Sequence, residues 1–159
     1  MNNFKKSRVE RSKTIVLSAP MEQVFPMFQP EGEKSWTDSW DPQYIWPVDG
    51  RPQEGLVFTH RNDKGGESVW TMTRFDAQDH HVEYTVVAPG SHVTQIRIRC
   101  QQNRAAQTRA LISYTVTPIS EQGLEILERF SPEDYDHRIN AWQKAIEHYI
   151  NTGEASAVH

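Results

Sequence analysis

The chain of 159 residues holds a single cysteine, Cys100, so no internal disulfide framework can form and no C-x-x-C metal or redox pair exists. It also lacks any uninterrupted apolar run near the ~20 residues that span a bilayer. The basic N-terminus, with Lys5, Lys6, Arg8, Arg11 and Lys13, is not followed by the apolar stretch of a secretory signal. These absences predict a soluble, cytoplasmic protein with no stable membrane insertion. Gly65-Gly66 falls in a hairpin rather than a phosphate-binding loop, and there is no G-x-S-x-G elbow. The seven histidines are badly spaced for a metal: His80 and His81 are adjacent and diverge, and a helix would hold His137 and His148 ~16 Å apart. No metal and no cofactor is expected.

Charge is nearly balanced, at a net −4. The five basic residues of the first thirteen positions face one acid, Glu10, so the remainder is more acidic than the whole. Without a second basic face or interleaved aromatics, no nucleic-acid partner is expected, and residues 1–12 read as a flexible, solvated arm. Residues 154–159, small and polar, read as a disordered tail. Internal repeats and linkers are missing, so residues 13–153 form one domain, large enough to bury about two-thirds of its unfolded surface.

What the chain does have is a train of strand-like segments closed by one long amphipathic helix. Residues 13–18 are β-branched and apolar, and Pro20 then opens a helix over 21–28 that Pro26 shortens or kinks. A tryptophan-rich stretch follows over 30–52, with a helical turn expected near Glu33 to Trp36. Segments 55–61, 67–75, 81–87, 93–101 and 108–117 are rich in β-branched and aromatic residues, with turn-formers between them. Thr94, Ile96 and Ile98 alternate with Gln95, Arg97 and Arg99, the period of a strand buried on one face; Ala110, Ile112, Tyr114 and Val116 are expected inward by the same rule. Residues 120–128 suggest a short helix or bend. Ser131-Pro132-Glu133-Asp134 then reads as a capped helix start, and Thr152-Gly153 as its stop. Between them Tyr135, Ile139, Trp142, Ile146, Tyr149 and Ile150 fall in one sector of the helix wheel.

This order of elements, together with S-A-P-M-E-Q-V-F-P-M-F at 18–28, P-E-G-E-K-S-W at 30–36, V-W-T-M-T-R-F-D at 69–76 and W-Q-K-A-I-E-H-Y-I-N-T-G at 142–153, resembles the START-like superfamily, in particular its bacterial polyketide cyclase/dehydrase-like branch. The resemblance implies an α+β helix-grip fold: a curved antiparallel β-sheet of six to seven strands wrapped around the long C-terminal helix, with one or two short helices after the first strand. The superfamily also includes pollen-allergen-like lipid carriers and Hsp90-activator-like proteins, so it specifies a fold better than a function.

The candidate site is a cavity between sheet and helix holding a small hydrophobic or aromatic molecule. Its candidate lining is Glu33, Trp36, Trp40, Phe58, His60, Trp70, Met72, Tyr84, Tyr114, Tyr135, Ile139 and Trp142. Indole rings stack on flat apolar molecules while their N–H groups seek polar partners. A carboxylate beside them, at Glu33, would have a raised pKa suited to acid or base work; the plainer alternative pairs Glu33 with a neighbouring cation or water. Arg74 is expected to pair with Asp76 or Glu83 at the surface. Three functions stay open: ligand carriage, a cyclase or dehydratase using Glu33, His60 or a tyrosine, and an interaction module of the Hsp90-activator kind. The sequence leaves open a homodimer and whether tryptophans fill the cavity.

Overall fold

A computed structural model describes residues 3–62 and 65–158. Seven strands form one antiparallel sheet: β1 (Val9–Leu17), β2 (Gln43–Trp46), β3 (Val57–Arg61), β4 (Glu67–Asp76), β5 (His81–Ala88), β6 (His92–Arg104) and β7 (Gln107–Pro118), in the spatial order β1-β7-β6-β5-β4-β3-β2. Register breaks near Met72 in the β4–β5 ladder and near Gln102 in the β6–β7 ladder bend the strands, as bulges do. The long helix α4 (Pro132–Thr152) packs beside β1 over the inner face of the sheet. Among the described residues no helix is long and apolar enough to cross a membrane.

The alternation expected in β6 and β7 orders the core. Ile96, Ile98, Ala110, Ile112, Tyr114 and Val116 are buried against the inside, while Arg99 and Arg109 are exposed. Ser113 and Thr115 point the other way yet are also buried, because β7 lies between β1 and β6. Ser113 Oγ lies 2.8 Å from Ser12 Oγ, and Arg97 donates to Thr115 Oγ1 at 3.3 Å. Arg74 sits 4.0 Å from Asp76 and 3.8 Å from Glu83, the expected surface pairing.

Both expected floppy ends need correction. Residues 9–12 belong to β1, which pairs with β7 from Val9↔Val116 to Leu17↔Thr108. The long β7 offers backbone partners that far, and the basic side chains turn toward the protein: Arg11 donates to the Phe130 carbonyl at 3.2 Å, and Lys13 pairs with Asp136 on α4. At the other end, residues 154–158 fold back. Gly153 ends α4 at φ 76°, a left-handed conformation that glycine adopts without a Cβ clash. The Ser156 N–H then donates to the Trp36 carbonyl at 3.1 Å and the Asp38 N–H to the Ser156 carbonyl at 2.9 Å. His159 lies outside the described residues.

Short helices lead into the site. α1 (Met21–Val24) changes at Phe25 into a 3-10 turn, Phe25–Phe28, that accommodates Pro26. α2 (Pro30–Glu33) follows, slightly earlier than the turn the sequence suggests, with Pro30 in its first turn. Gly32 lets α2 rest directly on the preceding turn, for a Cβ there would stand 1.7 Å from the Pro26 carbonyl oxygen. α3 (Glu121–Leu127) begins at an N-cap serine, Ser120, and α4 at a full capping box between Ser131 and Asp134.

Candidate functional site

The close seating of α2 fixes two carboxylates, two residues apart, in opposite surroundings. Glu31 is exposed, 2.7 Å from Lys34 Nζ, and accepts from the Tyr44 hydroxyl; these bonds hold its pKa below the usual carboxylate range. Glu33 faces the interior. It is half-buried, and among the described residues its side chain has no hydrogen bond and no ion pair, Lys34 being engaged by Glu31. Burial in this setting raises its pKa well above the usual carboxylate range.

Glu33 sits on the wall of a 210 Å³ cavity between the sheet, α4 and the 36–40 segment. Six aromatic side chains share that wall: Trp36, Trp40, Trp70, Tyr84, Tyr114 and Trp142. They brace one another edge to face, with Trp40 5.2 Å from Trp70, Trp70 5.6 Å from Tyr84, and Tyr114 6.1 Å from Trp142. His60 completes this side, its ring 4.5 Å from Trp40. The rings are anchored from behind. Trp36 Nε1 donates to the Met27 carbonyl at 2.7 Å, Trp40 Nε1 to the Pro30 carbonyl at 2.8 Å, Trp70 Nε1 to Ser68 Oγ at 2.9 Å, and the Tyr84 hydroxyl to the Phe28 carbonyl at 2.7 Å. Burial raises the Tyr84 pKa well above that of a free phenol and pushes Tyr114 up to about 12, so both stay protonated near neutrality.

Eight of the twelve residues named from the sequence line this cavity, and four do not. Phe58, Met72 and Ile139 are completely buried, and Tyr135 is sealed in the core with its hydroxyl donating to the Ile112 carbonyl. Phe58 stacks behind Trp70 at 5.4 Å and so supports the wall without reaching its surface. The reason is distance along the helix and sheet: an inward direction does not tell how much packing lies in front of a residue. Among the described residues α4 accordingly contributes Trp142 alone. The sequence reading missed Thr37, Asp38, Ser39, Ile96, Ile98 and Val158. The β6 alternation already placed Ile96 and Ile98 inward and was the signal for them; Val158 had none.

No family model and no curated protein matches the chain. Solved structures do. Norcoclaurine synthase from Thalictrum flavum, in complex with dopamine and hydroxybenzaldehyde, superposes with a TM-score of 0.66 at 10% identity, over 98% of this chain and 93% of that one. The Zhui aromatase/cyclase from a Streptomyces species gives 0.64 at 13% identity, over 94% and 100%. A START superfamily protein from Mycobacterium smegmatis gives 0.63 at 14% identity, over 89% and 97%. The chain has the START-like helix-grip fold. At these identities the similarity extends to the backbone plan, and the side chains of the START-like cavity are this chain's own.

Proposed function

We propose that the protein binds one ring-sized, largely apolar organic molecule in the cavity beneath Trp142. The carrying observation is a partly open cavity walled by six aromatic rings whose polar tips are mostly turned outward and bonded. Its 210 Å³ exceeds the ~150 Å³ of an engineered cavity that takes up benzene, and falls short of the ~300 Å³ at which drug-sized pockets begin. Long-chain lipids and multi-ring polyketides are therefore poor fits, and a substituted single or fused double ring is a good one. Two fold relatives, one in complex with dopamine and hydroxybenzaldehyde and one named an aromatase/cyclase, are consistent with aromatic cargo.

Native mass spectrometry of freshly purified protein, followed by tryptophan-fluorescence titration with indole, 2-phenylethanol and palmitate, tests this. Quenching by the two ring compounds and not by palmitate is the expected result. No bound species and no quenching by either ring compound would sink the reading.

Glu33 favours a second reading. A carboxylic acid whose burial favours its protonated form in an apolar cleft is suited to general acid catalysis on a bound carbonyl or hydroxyl, with His60 and Asp38 also on the wall. The anchored Tyr84 hydroxyl is not available for that work without breaking its bond to Phe28. The interaction-module reading has less support. Ile45, Trp46 and Val48 do form an exposed apolar strip on and beside the edge strand β2, but the interior is hollow where such a module would be filled.

A further inference from the structure

The wall of the cavity is chemically one-sided. Among the described residues its two carboxylates are Glu33 and Asp38, no lysine or arginine lines it, and His60 is its one base. Most of its hydrogen-bond donors are committed to protein acceptors: the three N–H groups of Trp36, Trp40 and Trp70, the Tyr84 hydroxyl, and the Thr37 and Ser39 hydroxyls, which both donate to the Asp38 carbonyl. Beside Tyr114, Trp142 and His60, what remains is an acceptor without a donor. Glu33 reaches the space, and nothing among the described residues donates to it.

Each ligand class meets this wall differently. An anion would face two acids, with no lysine or arginine among the described lining residues and Arg138 set against the Tyr114 ring, 5.8 Å from its centroid. A neutral hydrocarbon would fill the space and leave the Glu33 carboxyl desolvated and unbonded, a costly arrangement for a polar group. A molecule carrying an amine on a ring supplies what is missing: its N–H groups bond to Glu33, its charge pairs with the carboxylate, and the faces of the surrounding indole and phenol rings attract the same cation. Ring and ammonium together match the two halves of the wall.

We propose that the cavity selects a small aromatic amine, its ammonium group held by Glu33 and its ring by the tryptophan wall. This rests on the reading that the cavity is a ligand site, and the experiment separates the two. Affinity is measured by calorimetry and tryptophan fluorescence for phenethylamine, 2-phenylethanol and phenylacetate, which share a ring and differ at the tip, on the wild type and on Glu33→Gln. The expected result is binding of phenethylamine at least about tenfold tighter than of the other two. In Glu33→Gln that preference falls to within about twofold, while 2-phenylethanol still binds, which shows that the variant is folded and its cavity intact. Equal affinity for alcohol and amine in the wild type, or an amine preference that survives in Glu33→Gln, overturns the proposal and leaves the cavity reading standing. Failure of all three compounds to bind the wild type overturns both. The wild-type series decides by itself if the variant does not fold.

Discussion

Beneath α4 lie two aromatic regions built from similar residues, one sealed and one hollow. Around the first two turns of the helix, Tyr135, Phe130 and Tyr114 pack at centroid distances of 5.6 to 5.9 Å, the Tyr135 hydroxyl is bonded to the Ile112 carbonyl, and Ile139 closes the space completely. One and two turns further on, Trp142 approaches Trp36 at 5.8 Å and Tyr114 at 6.1 Å, and the space between them and Trp40 stays empty. Both regions are aromatic, so ring content does not separate them. What separates them is polar bookkeeping: in the sealed region the buried hydroxyl has an internal acceptor, whereas in the hollow one Glu33 has no partner among the described residues. A fold that could have filled the second region with one more side chain leaves there the group that needs a guest.

Breaking the sealed side should cost most. Ile139→Ala removes a completely buried side chain and is expected to lower stability by ~3–4 kcal/mol, measured by urea unfolding, with affinity for ring compounds unchanged wherever the protein is folded. A loss of binding in the folded variant would mean that the two regions are not separate. Trp142→Ala, on the hollow side, is expected to cost less, ~1–3 kcal/mol, because the ring is half-buried and one face already meets empty space. It should also weaken ring-compound binding by at least about tenfold, a pairing of effects that Ile139→Ala lacks.

Glu33→Gln sharpens the contrast further by changing sign. Because the folded state holds the Glu33 pKa above its unfolded value, the unfolded chain loses this proton first as pH rises. The wild type's stability contribution from this group is therefore full below the ordinary carboxylate range and is lost as pH rises through the raised folded pKa. Glutamine has no proton to lose, so the variant should match the wild type near pH 4 and exceed it by on the order of 1 kcal/mol at neutral pH. Paired denaturation curves at the two pH values check this, and a variant less stable at pH 7 would show that the carboxylate is satisfied after all. The smallest effect is expected at the tail. Val158→Ser should leave stability within about 0.5 kcal/mol while raising the ligand dissociation rate severalfold, read by stopped-flow fluorescence.

The sheet, its strand order of appearance and the buried face of α4 were legible because period-2 and period-3.6 patterns are written into those segments. Strand β2 was not. Its four residues, Gln43–Trp46, are mostly exposed on an edge and lie close to Pro42 and Pro47, so burial left no alternation to read. The tail and residues 9–12 were missed for a related reason: what orders them is backbone pairing to distant strands and loops, which composition does not record. Within the site the tryptophans announced themselves by size. The isolation of Glu33 did not, since it depends on Lys34 turning to Glu31, a choice between two acids that sequence leaves equal. The separation of Tyr135 and Ile139 from the cavity likewise depends on depth, which a helix wheel projects away.

The left-handed residue at the end of α4 links two properties that are usually separate. Gly153 turns the chain back so that Ser156 meets Trp36 and Val158 reaches the cavity. A residue there that favoured continued helix would send the chain outward and strip a wall from the binding space, although no binding residue had changed. Selection for a longer, sturdier helix and selection for a fully walled site thus pull on this one position in opposite directions.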